Sequence, residues 1–232
     1  MRDAQFSKIS VCRKITWRTQ KKISRDFVFE TKFFPESRVF MGVSMESQNL
    51  TALDALEKLK EGNKRYLNAL TNPGDISQRI RHETCENGQK PYAVVITCAD
   101  SRVIPEGIFS TGIGELFVIR VAGNVIGAIQ LGSVEYAVEH LGSPLVVVMG
   151  HTHCGAVGAA VNSDPEGFVK SITDAIRKAI GNEKNELVAC KMNVKRSVNI
   201  IKANLKTLLA EGKMTVVGAV YDIDSGEVEF LD

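Results

Sequence analysis

Apolar, β-branched runs alternate with amphipathic segments over most of the chain, from about residue 50 onward. Three runs have the composition of strands buried on both faces: Tyr92–Thr97, Glu115–Val121 and Leu145–Met149. Segments whose apolar residues recur every three or four positions predict helices at Gly132–Leu141, Phe168–Ile180 and Asn193–Leu209. Buried strands that alternate with helices predict an α/β fold, with a mainly parallel central β-sheet flanked by helices.

An N-terminal helix and a C-terminal hairpin are predicted at the two ends of this region. Thr51 followed by Asp54 is typical of a capped helix start, and Asn72-Pro73-Gly74 is expected to end that helix. One face of the helix is predicted to carry Leu53, Leu56, Leu59, Asn63, Tyr66, Leu67 and Leu70. We expect an N-terminal helical arm that packs on the core or on a second subunit. Two strand-like runs around Asp224-Ser225-Gly226, within Met214–Phe230, predict a C-terminal hairpin at the edge of the sheet.

The first 45 residues differ from the rest in charge. Residues 1–44 hold ten Lys/Arg and four Asp/Glu, a net of +6, so the remainder carries −4 of the formal +2. We expect a basic, disordered leader at 1–45 and a single domain at 46–232. The leader is interpreted as a transit peptide to an organelle or as a segment before a true start at Met41 or Met45.

Composition also excludes several classes of partner. The predicted domain is mildly acidic, which does not favour nucleic-acid binding. The first 44 residues lack the apolar segment of a secretory signal, and no apolar run approaches the roughly 20 residues of a membrane span. We therefore expect no nucleic-acid partner, no membrane and a cytoplasmic location, with organellar targeting by the leader as the alternative.

Residues with metal-binding chemistry follow two of the predicted buried strands. Cys98, Asp100 and Arg102 follow the first run, and His151 and Cys154 follow the third. Binding sites of parallel α/β sheets lie at the carboxyl ends of strands, so the two groups are expected to meet. The spacing of Cys98, Asp100 and Arg102 puts all three on one face while the chain stays extended.

Two thiolates and one imidazole form a ligand set that suits zinc. Cys98, His151 and Cys154 leave one coordination position open, which is typical of catalytic sites, so we expect one zinc ion per subunit. Zinc with two thiolates is already neutral, and Asp100 as a permanent ligand would close the site. We expect Arg102 to hold Asp100 off the metal in an active state, where Asp100 orients a metal-bound water. Asp100 is the alternate ligand in an inactive state, and activity is expected to rise with pH.

The remaining Cys and His residues give weaker indications of metal binding or catalysis. Cys12, Cys85 and Cys190 have no metal-like neighbours and are interpreted as incidental thiols. A Cys with a His also fits a cysteine nucleophile, although the second Cys beside His151 fits a metal better. His153 is expected to face away from His151, and it remains a candidate proton carrier.

On these residues the chain resembles β-class carbonic anhydrases, over about residues 50–232. The matching segments are Cys98–Phe109, Phe117–Asn124, Leu131–Val138, Gly150–Val157 and Gly218–Val228. The resemblance implies interconversion of carbon dioxide and bicarbonate on zinc held by Cys98, His151 and Cys154. It also implies a homodimer or homotetramer whose N-terminal helix wraps the neighbour. The turn at Arg120–Asn124 would line the substrate pocket, where Gly123 lets the backbone approach the substrate.

One loop departs from the pattern of the family, and two alternative functions stay open. Many relatives carry a Gln in the loop Ser110–Glu115, where this chain has Thr111 or Gly112, depending on the alignment. The departure concerns substrate orientation and rate, not zinc binding. The alternatives are a carbonyl sulfide or carbon disulfide hydrolase on the same scaffold, and a catalytically weak, zinc-stabilised sensor of carbon dioxide or bicarbonate. The Asp100–Arg102 pair favours an enzyme, because a structural zinc has no use for it.

Overall fold

The computed structural model describes residues 50–69 and 74–231. The expectations for residues 1–45, for Leu70 and for a helix stop at Asn72 and Pro73 lie outside these residues. The helices are α1 (Ala52–Asn68), α2 (Gln78–Asn87), α3 (Pro105–Ile108), α4 (Ala128–Glu139), α5 (Gly155–Asn162), α6 (Val169–Ile180), α7 (Glu186–Asn204) and α8 (Lys206–Ala210). The strands are β1 (Ala93–Thr97), β2 (Leu116–Arg120), β3 (Leu145–His151), β4 (Thr215–Tyr221) and β5 (Val228–Leu231).

The five strands form one sheet in the order β2-β1-β3-β4-β5. The pairings of β1 with β2, β1 with β3 and β3 with β4 are parallel, whereas β5 is antiparallel to β4 at the edge. The predicted mainly parallel sheet with a C-terminal hairpin is thereby confirmed. Thr97 pairs with Met149, so the chain leaves the adjacent strands β1 and β3 at the same edge of the sheet.

Side chains alternate between two apolar layers, because successive residues of a strand face opposite sides of the sheet. On one side, the sheet packs with α4 and α7 through Val94, Ile96, Val146, Val148, Val134, Val138, Val194 and Val198. On the other side, it packs with α1 and the end of α3 through Ala93, Val95, Val147, Met149, Ala55, Leu59, Ile108 and Phe109. Every residue of β1 and β3 is buried, as their continuous apolar sequences predict. Among the described residues, no helix is long and apolar enough to cross a membrane.

Helix α1 has the predicted start, and part of its predicted apolar face packs on the core. Thr51 Oγ1 accepts a hydrogen bond from the Asp54 amide over 3.2 Å, and Asp54 Oδ2 accepts one from the Thr51 amide over 3.0 Å. Leu59 and Asn63 of the predicted stripe are buried, and Leu56 and Tyr66 pack against the core. Leu53 is 78% exposed and Leu67 is exposed too, whereas Ala55 and Gly62 join the buried face.

The reason is the close approach of α1 to the chain after α3. A Cβ atom at Gly62 would lie 2.0 Å from the carbonyl oxygen of Phe109. The closest contact of α1 with this segment is therefore at a glycine, and the spacing of apolar residues does not predict such a contact. The helix is rotated so that Gly62, its smallest residue, and Leu59 meet the core while Leu53 stays exposed.

Two other helices begin earlier than predicted, because their start signals are polar side chains. Helix α4 begins at Ala128 rather than at Gly132, and the Gly127 amide donates to Gln130 Oε1 over 3.1 Å. Helix α7 begins seven residues before Asn193, where Asn185 Oδ1 accepts from two backbone amides at 3.0 and 3.1 Å. It ends at Asn204, and α8 follows as a separate short helix. Helix α2 was not predicted, since it buries a single residue and has no apolar stripe.

Candidate metal centre

The carboxyl ends of β1 and β3 bring three candidate ligands together. The sulfurs of Cys98 and Cys154 and a ring nitrogen of His151 all lie within 4.8 Å of one another. Cys98 follows β1, His151 is the last residue of β3, and Cys154 is the N-cap residue of α5. Their exposed fractions are 5%, 0% and 4%, so all three lie inside the protein.

The tautomer of His151 follows from its neighbour. His151 Nδ1 lies 2.9 Å from the carbonyl oxygen of Thr152, which only accepts hydrogen bonds, so Nδ1 carries the proton. The lone pair is then on Nε2, a buried atom without a hydrogen-bond partner among the described residues. A buried acceptor without a partner is costly, and a metal ion would satisfy it. The histidine thus fits a metal ligand in orientation and in protonation.

The pKa values of the two buried thiols, Cys98 and Cys154, are shifted in opposite directions. Hydrogen bonding from Cys154 and from the amide of Gly123 lowers the pKa of Cys98 below its usual range. The negative sulfur of Cys98 and burial raise the pKa of Cys154. The two sulfurs by themselves therefore share one proton, which a divalent cation would displace. Two sulfurs and one neutral imidazole suit zinc among the common metals.

Asp100 and Arg102 form the predicted pair beside these ligands. Arg102 Nε donates to Oδ1 of Asp100 over 2.9 Å, and Nη2 donates to Oδ2 over 2.7 Å. This bidentate contact holds the pKa of Asp100 well below its usual range. Arg102 Nη2 also donates to the carbonyl oxygen of His153 over 3.1 Å, which ties together the loops after β1 and β3. Among the described residues, the group of clustered ligand atoms does not include the carboxylate of Asp100.

The chain between Cys98 and Arg102 turns instead of staying extended. The amide of Val103 donates to the carbonyl oxygen of Asp100 over 3.0 Å, and the amide of Arg102 donates to Asp100 Oδ1 over 3.0 Å. The expectation that Cys98, Asp100 and Arg102 share one face of an extended segment is wrong. The turn is what brings the Arg102 side chain back onto Asp100 while Cys98 stays buried.

Gly123 lies beside the first sulfur ligand. Its amide donates to Cys98 Sγ over 3.3 Å, and its φ of +67° is in the left-handed region. A Cβ atom there would lie 2.8 Å from Ile176 Cδ1 and 3.1 Å from the Cβ of Ala156. Only glycine combines this backbone conformation with this contact.

Sequence reasoning missed the role of Arg120, which it named only as the start of a lining turn. Arg120 is the last residue of β2, and its Nη2 donates to the carbonyl oxygen of Asp100 over 2.6 Å. Its Nε donates to the carbonyl oxygen of Cys98 over 3.3 Å. The available signal was a basic residue at the end of an otherwise apolar strand run.

The remaining Cys and His residues differ in their placement. His153 is exposed, with a φ of 54°, whereas His151 is buried. Cys85 is exposed, whereas Cys12 is outside the described residues. Cys190 is not incidental in position: its buried Sγ donates to the carbonyl oxygen of His151 over 3.4 Å, and burial raises its pKa to about 11.

The loop that lacks the Gln of relatives is closed by its own hydrogen bonds. Thr111 is buried, and its Oγ1 donates to the carbonyl oxygen of Glu106 over 3.3 Å. The amide of Gly112 donates to Glu115 Oε2 over 2.7 Å. These hydrogen bonds lie within the loop, and neither of them reaches Cys98, His151 or Cys154.

Comparisons with known proteins agree with this geometry. A family model described as carbonic anhydrase matches residues 93–228. Carbonic anhydrase 2 of Mycobacterium tuberculosis is 36% identical over 198 residues, which are 79% of this chain and 95% of the relative. A carbonic anhydrase of Mycolicibacterium smegmatis is 37% identical over 195 residues, which are 78% and 94% of the two chains.

Solved structures give the same result. The β-carbonic anhydrase CcaA has a TM-score of 0.60 and 29% identity, with 76% of this chain and 95% of that chain covered. The β-carbonic anhydrase CafA of Aspergillus fumigatus has a TM-score of 0.60 and 28% identity, with 67% and 83% covered. Sequence, fold and the arrangement of Cys98, His151 and Cys154 agree, and this chain belongs to the β-class carbonic anhydrases.

Proposed function

We propose that this chain is a zinc-dependent carbonic anhydrase, which converts carbon dioxide reversibly to bicarbonate and a proton. The observation that carries the proposal is the buried cluster of Cys98, His151 and Cys154 within 4.8 Å, beside the Asp100–Arg102 pair. The relatives are named carbonic anhydrases, whereas nothing in the site favours carbonyl sulfide or carbon disulfide as the substrate.

Cys98, His151 and Cys154 would hold one zinc ion per subunit through their two sulfurs and Nε2. When bound, zinc supplies a Lewis acid that acidifies a water molecule, and this water is the nucleophile for carbon dioxide. The chain prepares the ligands in advance: Thr152 O fixes the His151 tautomer, and the Gly123 amide stabilises the charge on Cys98.

Asp100 and Arg102 are the proposed catalytic residues. Because its pKa is held low by Arg102, Asp100 is ionised at neutral pH and accepts a hydrogen bond from the reacting water. Arg102 fixes the carboxylate with two bonds, as in the active state that we propose. In the proposed inactive state this contact is broken and Asp100 is the alternate metal ligand. The rise of activity with pH then comes from deprotonation of the water, not of Asp100.

The substrate pocket is proposed to include Gly123. The glycine has no side chain, and its amide is directed at Cys98 Sγ, so its backbone borders the site. His153 remains a proposed proton carrier, since it is exposed and its carbonyl group contacts Arg102.

A homodimer or homotetramer is the proposed assembly. Leu53 on α1 and Ile129 on α4 are 78% and 79% exposed, and β2 is an edge strand of the sheet. Exposed large apolar side chains and an open sheet edge each favour association with another subunit. Light scattering coupled to gel filtration distinguishes a monomer, which would contradict this assembly, from a dimer or tetramer.

Residues 1–45 are proposed to be a basic leader outside a catalytic domain at 46–232, and the enzyme is proposed to work in the cytoplasm. The family match at residues 93–228 supports the position of the domain. A chain that starts at residue 46 is expected to keep full activity. Fractionation of cells, followed by detection of the protein, tests the location, and recovery from an organelle would favour the transit peptide.

Stopped-flow measurement of carbon dioxide hydration, with zinc determined on the same samples, tests the function. The wild type is expected to contain one zinc per subunit and to be active. Asp100→Asn is expected to keep its zinc and to lose activity by on the order of 10²-fold. A zinc-loaded wild type that is inactive at alkaline pH would contradict the proposal and favour a sensor. Assays of the same protein with carbonyl sulfide and carbon disulfide as substrates test the alternative that it is a hydrolase of these compounds.

A further inference from the structure

Helix α7 carries three polar residues on the buried face that it turns toward the metal centre. Cys190, Asn193 and Ser197 are each 2% exposed, and their spacing puts them on one face of the helix. Each donates to a main-chain carbonyl group: Cys190 Sγ to His151 over 3.4 Å, Asn193 Nδ2 to Gly123 over 2.8 Å, and Ser197 Oγ to Asn124 over 3.2 Å. The buried polar residues of α7 thus hold the loops that carry or contact the candidate ligands.

The turn at Gly123 and Asn124 needs such support. Both residues have left-handed backbones, with φ of 67° and 42°, and Asn124 is 1% exposed. Asn adopts the left-handed region more readily than other residues with a Cβ, and contacts from α7 add to this preference. Asn193 and Ser197 bind the carbonyl groups of the turn, and the Asn124 amide donates to the carbonyl oxygen of Val121 over 3.0 Å.

Gly123 is bonded through both of its main-chain polar groups. Its carbonyl oxygen accepts from Asn193, and its amide donates to Cys98 Sγ over 3.3 Å. The bond from Asn193 fixes the orientation of the peptide after Gly123, and thereby the backbone angles that direct the preceding amide at the sulfur. A hydrogen bond to a thiolate withdraws negative charge from the sulfur, which sets how strongly the sulfur donates to a metal.

We propose that Asn193 is a positioning residue of the metal centre, which acts through Gly123 to keep a backbone amide on the sulfur of Cys98. The proposal rests on the proposed function, because Cys98 must be a metal ligand for the charge on its sulfur to affect the metal. The side chain of Asn193 bonds Gly123 and not a candidate ligand, so its effect on the centre is indirect.

Cobalt substitution tests this role, because sulfur-to-cobalt charge-transfer absorption reports the charge on the thiolate. Asn193→Leu keeps the size of the side chain and removes the donor, and Asn193→Asp keeps its shape. Both are expected to move the absorption to longer wavelength, because negative charge returns to the sulfur. Both are also expected to weaken zinc binding by about 10- to 100-fold in chelator competition, because the Cys98 sulfur is no longer held in place for the metal. The readouts do not depend on catalytic activity.

Ser143→Ala is the matched control. Ser143 is also fully buried, and its Oγ donates to the carbonyl oxygen of Pro91 over 2.7 Å, before β1 and so at the opposite end of that strand from Cys98. This variant is expected to lose stability but to keep the wild-type absorption and zinc affinity. A purely structural role of Asn193 would give the same result for the Asn193 variants.

The outcomes separate this inference from the proposed function. A wild type without sulfur-to-cobalt absorption would overturn both. Wild-type absorption that stays unchanged in folded Asn193→Leu or Asn193→Asp would overturn the positioning role alone. If neither Asn193 variant folds while Ser143→Ala does, Asn193 is a folding residue and the proposal is overturned.

Discussion

Arg120 Nη2 donates a hydrogen bond to the carbonyl oxygen of Asp100 over 2.6 Å, so the end of β2 holds the loop that follows β1. Arg102 holds the carboxylate of the same residue. Asp100 is therefore fixed by one arginine at its backbone and by another at its side chain. This double attachment gives the carboxylate one orientation beside the metal ligands.

Replacement of Arg102 by Lys is expected to lower kcat/KM for carbon dioxide hydration about tenfold. Lysine is a point charge and cannot form both bonds to the carboxylate, so the carboxylate of Asp100 is no longer fixed in one orientation. Arg79→Lys is the control, since the exposed Arg79 of α2 bonds Asp75, before the helix, and Glu83 within it. Equal activity of the two variants in a stopped-flow assay would show that the bidentate contact has no role.

Gly123→Ala is expected to destabilise the protein more than Gly142→Ala. The two glycines have almost the same φ, 67° and 70°, so both variants lose about 1–2 kcal/mol to the left-handed backbone. At Gly142 the new methyl group meets nothing within 4 Å, whereas at Gly123 it meets Ile176 Cδ1 at 2.8 Å. Urea unfolding measures the difference. Equal free energies of unfolding would mean that Ile176 moves away without cost.

Cys154→Ser is expected to remove the stabilisation that zinc provides. Metal binding is coupled to folding, so a strong chelator lowers the Tm of the wild type. Cys154→Ser is expected to bind little zinc. Its Tm is therefore expected to be lower than that of the wild type before the chelator is added, and to change little afterwards. Cys85→Ser, at an exposed thiol, is expected to behave like the wild type. A wild type whose Tm does not respond to the chelator, after zinc loss is verified, would contradict this coupling.

Asn63→Ala is expected to cost about 3 kcal/mol of unfolding free energy. Asn63 Nδ2 donates to the carbonyl oxygens of Ile108 and Gly226, at 3.2 and 3.0 Å, and its Oδ1 accepts from the Val228 amide over 3.1 Å. The substitution leaves buried main-chain groups without these partners, at about 1–3 kcal/mol each.

The exposed Asn68, on the same helix, provides the control for Asn63. Its Nδ2 donates to the carbonyl oxygen of Lys64 within the helix, over 2.7 Å. Asn68→Ala is expected to change the unfolding free energy by less than about 0.5 kcal/mol, because surface substitutions usually have small effects. Thermal or urea unfolding that gives both variants the same loss would mean that the three bonds of Asn63 are replaced by water.

The sheet and the meeting of Cys98 with His151 could be predicted from sequence, because they depend on long buried runs and on the geometry of parallel strands. The rotation of α1 about its axis could not be predicted from the sequence. Leu53 and Asn63 were assigned to one face, and the structure exposes the first and buries the second. Apolar spacing does not reveal that a glycine makes the closest contact or that a polar side chain bonds carbonyl groups inside.

The local geometry of the site was also beyond the sequence pattern. The turn after Cys98 depends on hydrogen bonds from the amides of Arg102 and Val103, and spacing alone favoured an extended chain. Asn193 was placed at the start of a helix that begins seven residues earlier, at Glu186. Its bond to Gly123 joins residues that are 70 positions apart, and a local pattern carries no information on such a pair.

The adjacent strands β1 and β3 also make the metal centre a link between distant parts of the chain. Cys98 and His151 are separated by 53 positions, so their ligand atoms come together only after the two central strands have paired. A metal held by both would act as a reversible cross-link that closes this long loop, and such links oppose unfolding by restricting the unfolded chain. The rate of metal uptake during refolding would then report when the two central strands have paired.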